Sequence, residues 1–287
     1  MMLVEETKAA TTAFSEQQRQ KGSKIGFVPT MGALHEGHLE LVRKALAEND
    51  IVICSIFVNP IQFNNSKDLE KYPRTLDTDL EKLKSEGCDL VFIPSVKEMY
   101  PDEPQDDYDF GRLEQVLEGK FRPGHFRGVA VVVKRLFNIV RPHRAYFGEK
   151  DFQQLQVIKK LVNMESLPVT IVPCPIVREP DGLAMSSRNV RLDPRSREKA
   201  PFIFRTLNLA ASKIPGYSPA EVKKFVEQQF AEDPDFMLDY FEIVTMDNLE
   251  PVEKWSDSPD IIACIAVHLG GIRLIDNMIL FHNFALA

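Results

Sequence analysis

Two hydrophobic periods alternate along the first part of the chain. Short runs in which nearly every position is apolar, Ile25 to Val28, Ile51 to Val58, Leu90 to Ile93 and Val169 to Val172, read as strands buried on both faces. Between them, Leu39 to Glu48, Leu76 to Ser85, Val129 to Val140 and Phe152 to Met164 carry apolar residues at helical spacing. Strands alternating with amphipathic helices predict a parallel sheet with helical crossovers. In such an open α/β architecture ligands bind outside the carboxyl ends of the strands.

After Arg191 the pattern changes. Asp193-Pro194 reads as a helix N-cap followed by proline at the first helical position, with the helix expected to run to Lys213. Ser218 and Glu221 have the spacing of a capping box at a second helix start. Tyr240 to Val244 and Ile261 to Val267 are strand candidates. Two domains are expected, a large one over 1–186 and a small α+β one over 187–287. A chain of 287 residues with 44% hydrophobic content can fill both cores.

Charge narrows the partners. With 35 Lys and Arg against 42 Asp and Glu the net charge is −7, a poor match for a surface that neutralises many nucleic-acid phosphates. A locally basic pocket for small anions remains open. Cys54, Cys88, Cys174 and Cys264 are far apart and form no Cys-x-x-Cys pair, so buried reduced thiols are expected rather than a disulfide framework or zinc ribbon. The stretch from Met1 to Gln20 is amphipathic and unlike a signal peptide, and no apolar run approaches a membrane span. A soluble, cytoplasmic protein is the expectation.

Three clusters carry candidate chemistry. The first strand runs into Thr30-Met31-Gly32-Ala33-Leu34-His35-Glu36-Gly37-His38 and then into a helix. Amides left unpaired at a glycine turn, together with the positive end of a helix dipole, favour phosphate. His35 and His38, three apart, share a helical face. The same pair also fits metal ligation or plain capping, although a zinc protease needs one more residue between its histidines. The second cluster, Phe147-Gly148-Glu149-Lys150-Asp151-Phe152-Gln153-Gln154, offers a mobile cation in Lys150. Its Asp151 suits either ribose hydroxyls or an N-cap. The third, Asp181-Gly182-Leu183-Ala184-Met185-Ser186-Ser187-Arg188-Asn189, groups hydroxyls with a guanidinium and suits a triphosphate, or is a charged hinge loop.

Taken in order, these clusters resemble the nucleotidylyltransferase superfamily, His35-Glu36-Gly37-His38 standing for its HIGH motif and Met185-Ser186-Ser187-Arg188 for its mobile KMSKS counterpart. Finer detail selects a family within it. Val28-Pro29-Thr30-Met31-Gly32-Ala33-Leu34-His35-Glu36-Gly37-His38, Phe57-Val58-Asn59-Pro60-Ile61-Gln62-Phe63, Tyr72-Pro73-Arg74-Thr75, Arg122-Pro123-Gly124-His125-Phe126-Arg127-Gly128, Phe147 to Gln154 and Met185 to Asn189 resemble pantothenate synthetases (pantoate–β-alanine ligases). The resemblance runs to Arg273-Leu274-Ile275-Asp276-Asn277. Pro180, and the segment between Pro194 and Asp260, depart from the pattern.

The resemblance implies a Rossmann-like open parallel sheet of nucleotidylyltransferase type with a smaller α+β C-terminal domain. It implies condensation of pantoate with β-alanine, ATP being cleaved to AMP and pyrophosphate through a pantoyl adenylate, with Mg2+ and in a homodimer. His38, His35, Lys150 and Arg188 become the catalytic set. Met31, Gly32, Ala33, Leu34, Glu36, Gly37, Gly148, Glu149, Asp151, Val177, Met185, Ser186 and Ser187 join them around ATP. Gln62, Gln154, Pro29, Thr30, Asn59 and Tyr72 are assigned to pantoate and β-alanine, with Met31 and Phe63 as further apolar contacts. His125, Arg122 and Arg127 are assigned to the second substrate. No protein ligand for the metal is identified. A simple adenylyltransferase, or a nucleotide sensor that keeps the fold without turnover, are the rival functions.

Overall fold

The computed structural model describes residues 2–214 and 216–281, so Pro215 and 282–287, part of the expected second domain, lie outside the described residues. The chain divides into two compact units. The first comprises Met1–Glu114, Glu118–Glu149 and Gln153–Val177, and the second Gln115–Leu117, Lys150–Phe152 and Arg178–Ala287.

The first unit is built on a six-stranded sheet. Its strands are β1 (Leu3–Glu5), β2 (Ile25–Thr30), β3 (Ile51–Ile56), β4 (Leu90–Phe92), β5 (Arg144–Gly148) and β6 (Thr170–Cys174). They lie in the order β1-β4-β3-β2-β5-β6, and every pairing is parallel. The helices are α1 (Lys8–Gln20), α2 (Glu36–Glu48), α3 (Ser66–Glu70), α4 (Leu76–Glu86), α5 (Val96–Met99), α6 (Glu118–Phe121), α7 (His125–Val140) and α8 (Phe152–Met164). Side chains alternate across β2 as the pleat requires. Val28 packs with Leu41, Val42 and Ala45 of α2 and Leu83 of α4. Phe27 points the other way and meets Phe137 of α7 edge to face, with ring centroids 6.3 Å apart.

The apolar runs therefore found their strands, with two differences. The strand expected to reach Val58 stops at Ile56, because the chain leaves the sheet for a 3-10 turn over Pro60–Gln62. β1 and β5 are not apparent as strands in the sequence. Leu3–Glu5 is short and largely exposed, and the apolar run of β5 merges with the glycine turn that follows it.

The second unit contains α9 (Pro194–Lys199), α10 (Phe202–Lys213), α11 (Pro219–Ala231) and an antiparallel sheet of β7 (Phe236–Thr245), β8 (Ile261–Leu269) and β9 (Ile272–Phe281). Asp193 caps α9 by accepting the N–H of Ser196, and Ser218 with Glu221 forms the expected capping box on α11. The helix expected to run unbroken to Lys213 is two helices, because Pro201 has no N–H with which to continue the ladder. One sheet face presents Phe241, Ile243, Ile265, Val267 and Leu274 to Leu207, Val222, Val226 and Phe230 of the helices, and this is the unit's core.

The main run of the second unit begins at Arg178, whereas the sequence places the boundary at Ser187. Arg178 forms a β-bridge with Ala184 and an ion pair with Asp276 of β9, and both contacts are within the second unit. Among the described residues no helix is long and apolar enough to cross a membrane. All four cysteines are buried and free.

Candidate active site

From β2 the sheet grows outward through β3 and β4, then restarts on the other side of β2 with β5 and β6. The crevice beside such a reversal is where open α/β sheets bind ligands. β2 ends at Thr30 and opens the His35–His38 turn, while β5 ends at Gly148 and opens Glu149-Lys150-Asp151. Two of the three candidate clusters thus leave the sheet from the strands that flank its switch point.

The turn after β2 is held from inside. Thr30 Oγ1 donates to the carbonyl of Ser55 at 2.7 Å and accepts the N–H of Gly32 at 3.2 Å. Gly32 and Ala33 both have positive φ, 77° and 50°. The buried carboxylate of Asp79, in the first turn of α4, accepts the N–H of Ala33 and of Leu34, each at 2.8 Å. These amides, offered to an anion by the sequence, are therefore already engaged by the protein. What the turn presents to a ligand is chiefly its imidazoles.

His35 is the N-cap of α2. Its backbone N–H donates to Nδ1 of His38 at 3.3 Å, and the two rings lie with centroids 4.0 Å apart. With Nδ1 of His38 accepting, the hydrogen of the neutral ring sits on Nε2. A Cβ on Gly37 would meet the His35 ring at 3.0 Å and Val177 at 3.7 Å, so Gly37 lies close to both. Glu36 is turned to Arg43, in an ion-pair group with Glu40 and Glu86.

Gln62 closes the 3-10 turn after β3. It is buried, its Oε1 accepts from Asn59 Nδ2 at 3.1 Å, and its Nε2 approaches Met31 Sδ at 3.1 Å. Asn59 also donates to the carbonyl of Gly128 at 3.1 Å and accepts the hydroxyl of Tyr100 at 2.7 Å. Asn59, assigned to substrate by resemblance, also holds the carboxamide of Gln62. His125 uses both ring nitrogens, Nδ1 donating to the Gln62 carbonyl at 2.8 Å and Nε2 accepting from Arg122 at 3.1 Å. Its geometry supports the Gln62 turn. Arg127 is half exposed and pairs with Asp107. Tyr72 is buried edge to face against Phe63. Of the adjacent glutamines on α8, Gln153 is committed to the Glu118 N–H and the Leu113 carbonyl, and Gln154 is half-buried.

In the second unit, Lys150 is mostly buried with its Nζ 3.8 Å from Asp151 Oδ2, and Asp151 is exposed in a 3-10 turn before α8. The Asn277 side chain donates to the Lys150 carbonyl at 3.0 Å. The loop of the third cluster is an ordered hairpin. Glu179-Pro180-Asp181-Gly182 closes as a turn, the Gly182 N–H donating to Glu179 at 2.8 Å, with Pro180 at the position its fixed φ suits. The loop's far end is fixed by Asn189, whose N–H donates to the Ser186 carbonyl at 2.9 Å and whose side chain donates to Ala184 at 3.0 Å. Arg178 forks onto Asp276 at 2.6 and 3.0 Å and stacks on Phe204 at 3.9 Å from the ring centroid. Burial pushes the Asp276 carboxyl above its ordinary pKa, with Arg178 pulling the other way.

Sequence reasoning missed Asp79 and Tyr100, and it named Asp276 and Asn277 without a role. Asp79 sits where an acidic residue in the first turn of a helix is already explained by the dipole.

Comparisons with known proteins follow this geometry. Residues 3–279 match the model of the pantoate-beta-alanine ligase family. A pantothenate synthetase of Porphyromonas gingivalis is 49% identical over 272 residues, 95% of this chain and 97% of that one. One from Azobacteroides pseudotrichonymphae is 51% identical over 261 residues, covering 91% and 93%. The crystal structure of the Thermus thermophilus pantothenate synthetase superposes with a TM-score of 0.91 at 43% identity, covering 98% of this chain and all of that one. That of the Francisella tularensis pantoate-beta-alanine ligase, complexed with beta-gamma ATP and beta-alanine, gives 0.80 at 36%, with 98% of each chain covered.

Proposed function

The chain belongs to the pantoate–β-alanine ligase family, and from that premise we infer that it is a ligase that condenses pantoate with β-alanine, driven by ATP, to form the amide of pantothenate. The reaction runs in two steps. The pantoate carboxylate attacks the α-phosphorus of ATP, pyrophosphate leaves, and the amine of β-alanine then attacks the acyl carbon and expels AMP. The observation that carries this reading is the departure of the His35–His38 turn and the Glu149–Asp151 turn from β2 and β5, on either side of the sheet's switch point.

The first step brings an anion to an anion, so donors aimed at the developing charge dominate the site. His38 donates from Nε2 to a phosphate oxygen, its tautomer fixed by the His35 N–H. Lys150, Ser186, Ser187 and Arg188 stabilise the departing pyrophosphate. Gly37 and Val177 lie against the nucleotide, and Gln62 and Gln154 hold pantoate through uncharged amides beside Pro29 and Met31. The Gln62 amide is preset by Asn59 and costs little ordering on binding.

Mg2+ would enter on the phosphates of ATP, since hard cations of this kind are held largely by substrate phosphates and water. There the ion offsets phosphate charge. A homodimer in the cytoplasm, implied by the family resemblance, completes the proposal.

Changing His38 to Ala separates the steps. Loss of one donor to transition-state charge costs on the order of 10²–10³ in rate, so His38→Ala should fail with ATP and pantoate. Given preformed pantoyl adenylate and β-alanine, it should make pantothenate at near the unmutated rate. Equal failure with the preformed intermediate removes the phosphate-specific role.

A further inference from the structure

The Asp276-Asn277 pair on β9 belongs to a recognised motif that the reaction leaves without a task. Successive residues of a strand point to opposite faces. Asp276, opposite Ile265, accepts both arms of the Arg178 fork, while Asn277, opposite Cys264, reaches the carbonyl of Lys150 at 3.0 Å. The two are also joined directly, since the Asn277 N–H donates to Asp276 Oδ1 at 2.8 Å. Arg178 extends the chain of contacts. Its guanidinium donates to the Gly182 carbonyl at 3.2 Å and to the Asn277 carbonyl at 3.3 Å, and its backbone bridges to Ala184 at the root of the Ser186–Arg188 loop.

One short piece of strand thus grips the backbone of Lys150 on one side and the base of the hydroxyl and guanidinium loop on the other. Every residue in this chain of contacts lies in the second unit, Lys150 included. A lysine that acts on a phosphate needs its backbone placed, because its flexible stem fixes nothing by itself.

We propose that Asp276 and Asn277 are positioning residues for adenylation: they set Lys150 in register with the Ser186–Arg188 loop, Asn277 through the Lys150 carbonyl and Asp276 through Arg178. This rests on the phosphate-facing role of Lys150 given above. Their effect passes to the first half-reaction alone, because aminolysis of a formed adenylate has no pyrophosphate to stabilise.

The test is a double-mutant cycle between Asn277→Ala and Lys150→Ala, read by pantoate-dependent exchange of labelled pyrophosphate into ATP on the full chain. Asn277→Ala should lower the exchange rate on the order of tenfold at saturating ATP. It should leave conversion of preformed pantoyl adenylate with β-alanine unchanged. In the Lys150→Ala background the same substitution should add nothing, the signature of two residues acting through one contact. Should Asn277→Ala fail to fold, Asn277→Ser, which keeps a polar group too short to reach the carbonyl, takes its place. Additive losses, or equal damage to the preformed adenylate, overturn the positioning role while leaving that of Lys150 intact. Normal exchange by Lys150→Ala itself overturns the phosphate reading of Lys150, and the positioning role falls with it.

Discussion

The carboxylate of Asp79 accepts the backbone N–H of Leu34 at 2.8 Å across 45 positions of sequence, and its other oxygen holds Ala33 at the same distance. A buried anion thereby supports the positive-φ turn that precedes His35. Hydrogen bonds to a charged acceptor are worth roughly 1.5–3 kcal/mol each, so Asp79→Ala should destabilise the protein by about 3 kcal/mol or more in a denaturant melt. Adenylation should fall with it, since the His35–His38 turn loses its brace. A variant that melts like the parent protein would show that the turn holds its shape without the clamp.

Gly128 is irreplaceable for a different reason. A Cβ there would lie 2.4 Å from the Ile61 carbonyl oxygen and 2.7 Å from Gln62 Cα, backbone atoms that can yield only by moving the turn. Gly128→Ala should therefore raise the KM for pantoate on the order of tenfold or more, while the KM for ATP stays within about twofold. Steady-state kinetics in both substrates decide it, and an unchanged pantoate KM places Gln62 outside the pantoate pocket.

Lys150→Ala should separate catalysis from folding. Among the described residues the side chain's ion pair is with Asp151 at 3.8 Å, too long to be strong, so the melting temperature should move little. Pyrophosphate exchange should fall on the order of 10²–10³. A large drop in melting temperature with normal exchange identifies a structural lysine instead.

Gly182 has φ of +94°, and a Cβ on it would stand 2.4 Å from Phe204 Cδ1. Gly182→Ala should destabilise the second unit by about 1–3 kcal/mol through backbone strain and displacement of Phe204 from Arg178. Calorimetry resolves this as a lowered transition. No change would mean that the turn has another conformation to use.

The sheet and the site are unequally legible in the sequence. Ile25, Ile51 and Leu90 announce their strands because both faces of a central strand are buried. Leu3–Glu5, an exposed edge strand, carries no such run. The motif residues are legible because each cluster is contiguous at a strand end. Their supports are not, since Asp79, Asn277 and Tyr100 reach their partners across 45, 127 and 41 positions. Asn59 is assigned to the pantoate pocket by the family resemblance. Its fold-dependent partners, the Gly128 carbonyl and Tyr100, are not legible there, nor is its hold on Gln62.

The central claim is that acyl-adenylate formation is a complete half-reaction at this site, separate from amide formation. The most direct measurement is exchange of labelled pyrophosphate into ATP with Mg2+ and pantoate, and with β-alanine left out. Reversible adenylation predicts label in ATP that depends on pantoate and appears without any β-alanine. Label that enters ATP only when β-alanine is present would contradict the stepwise mechanism.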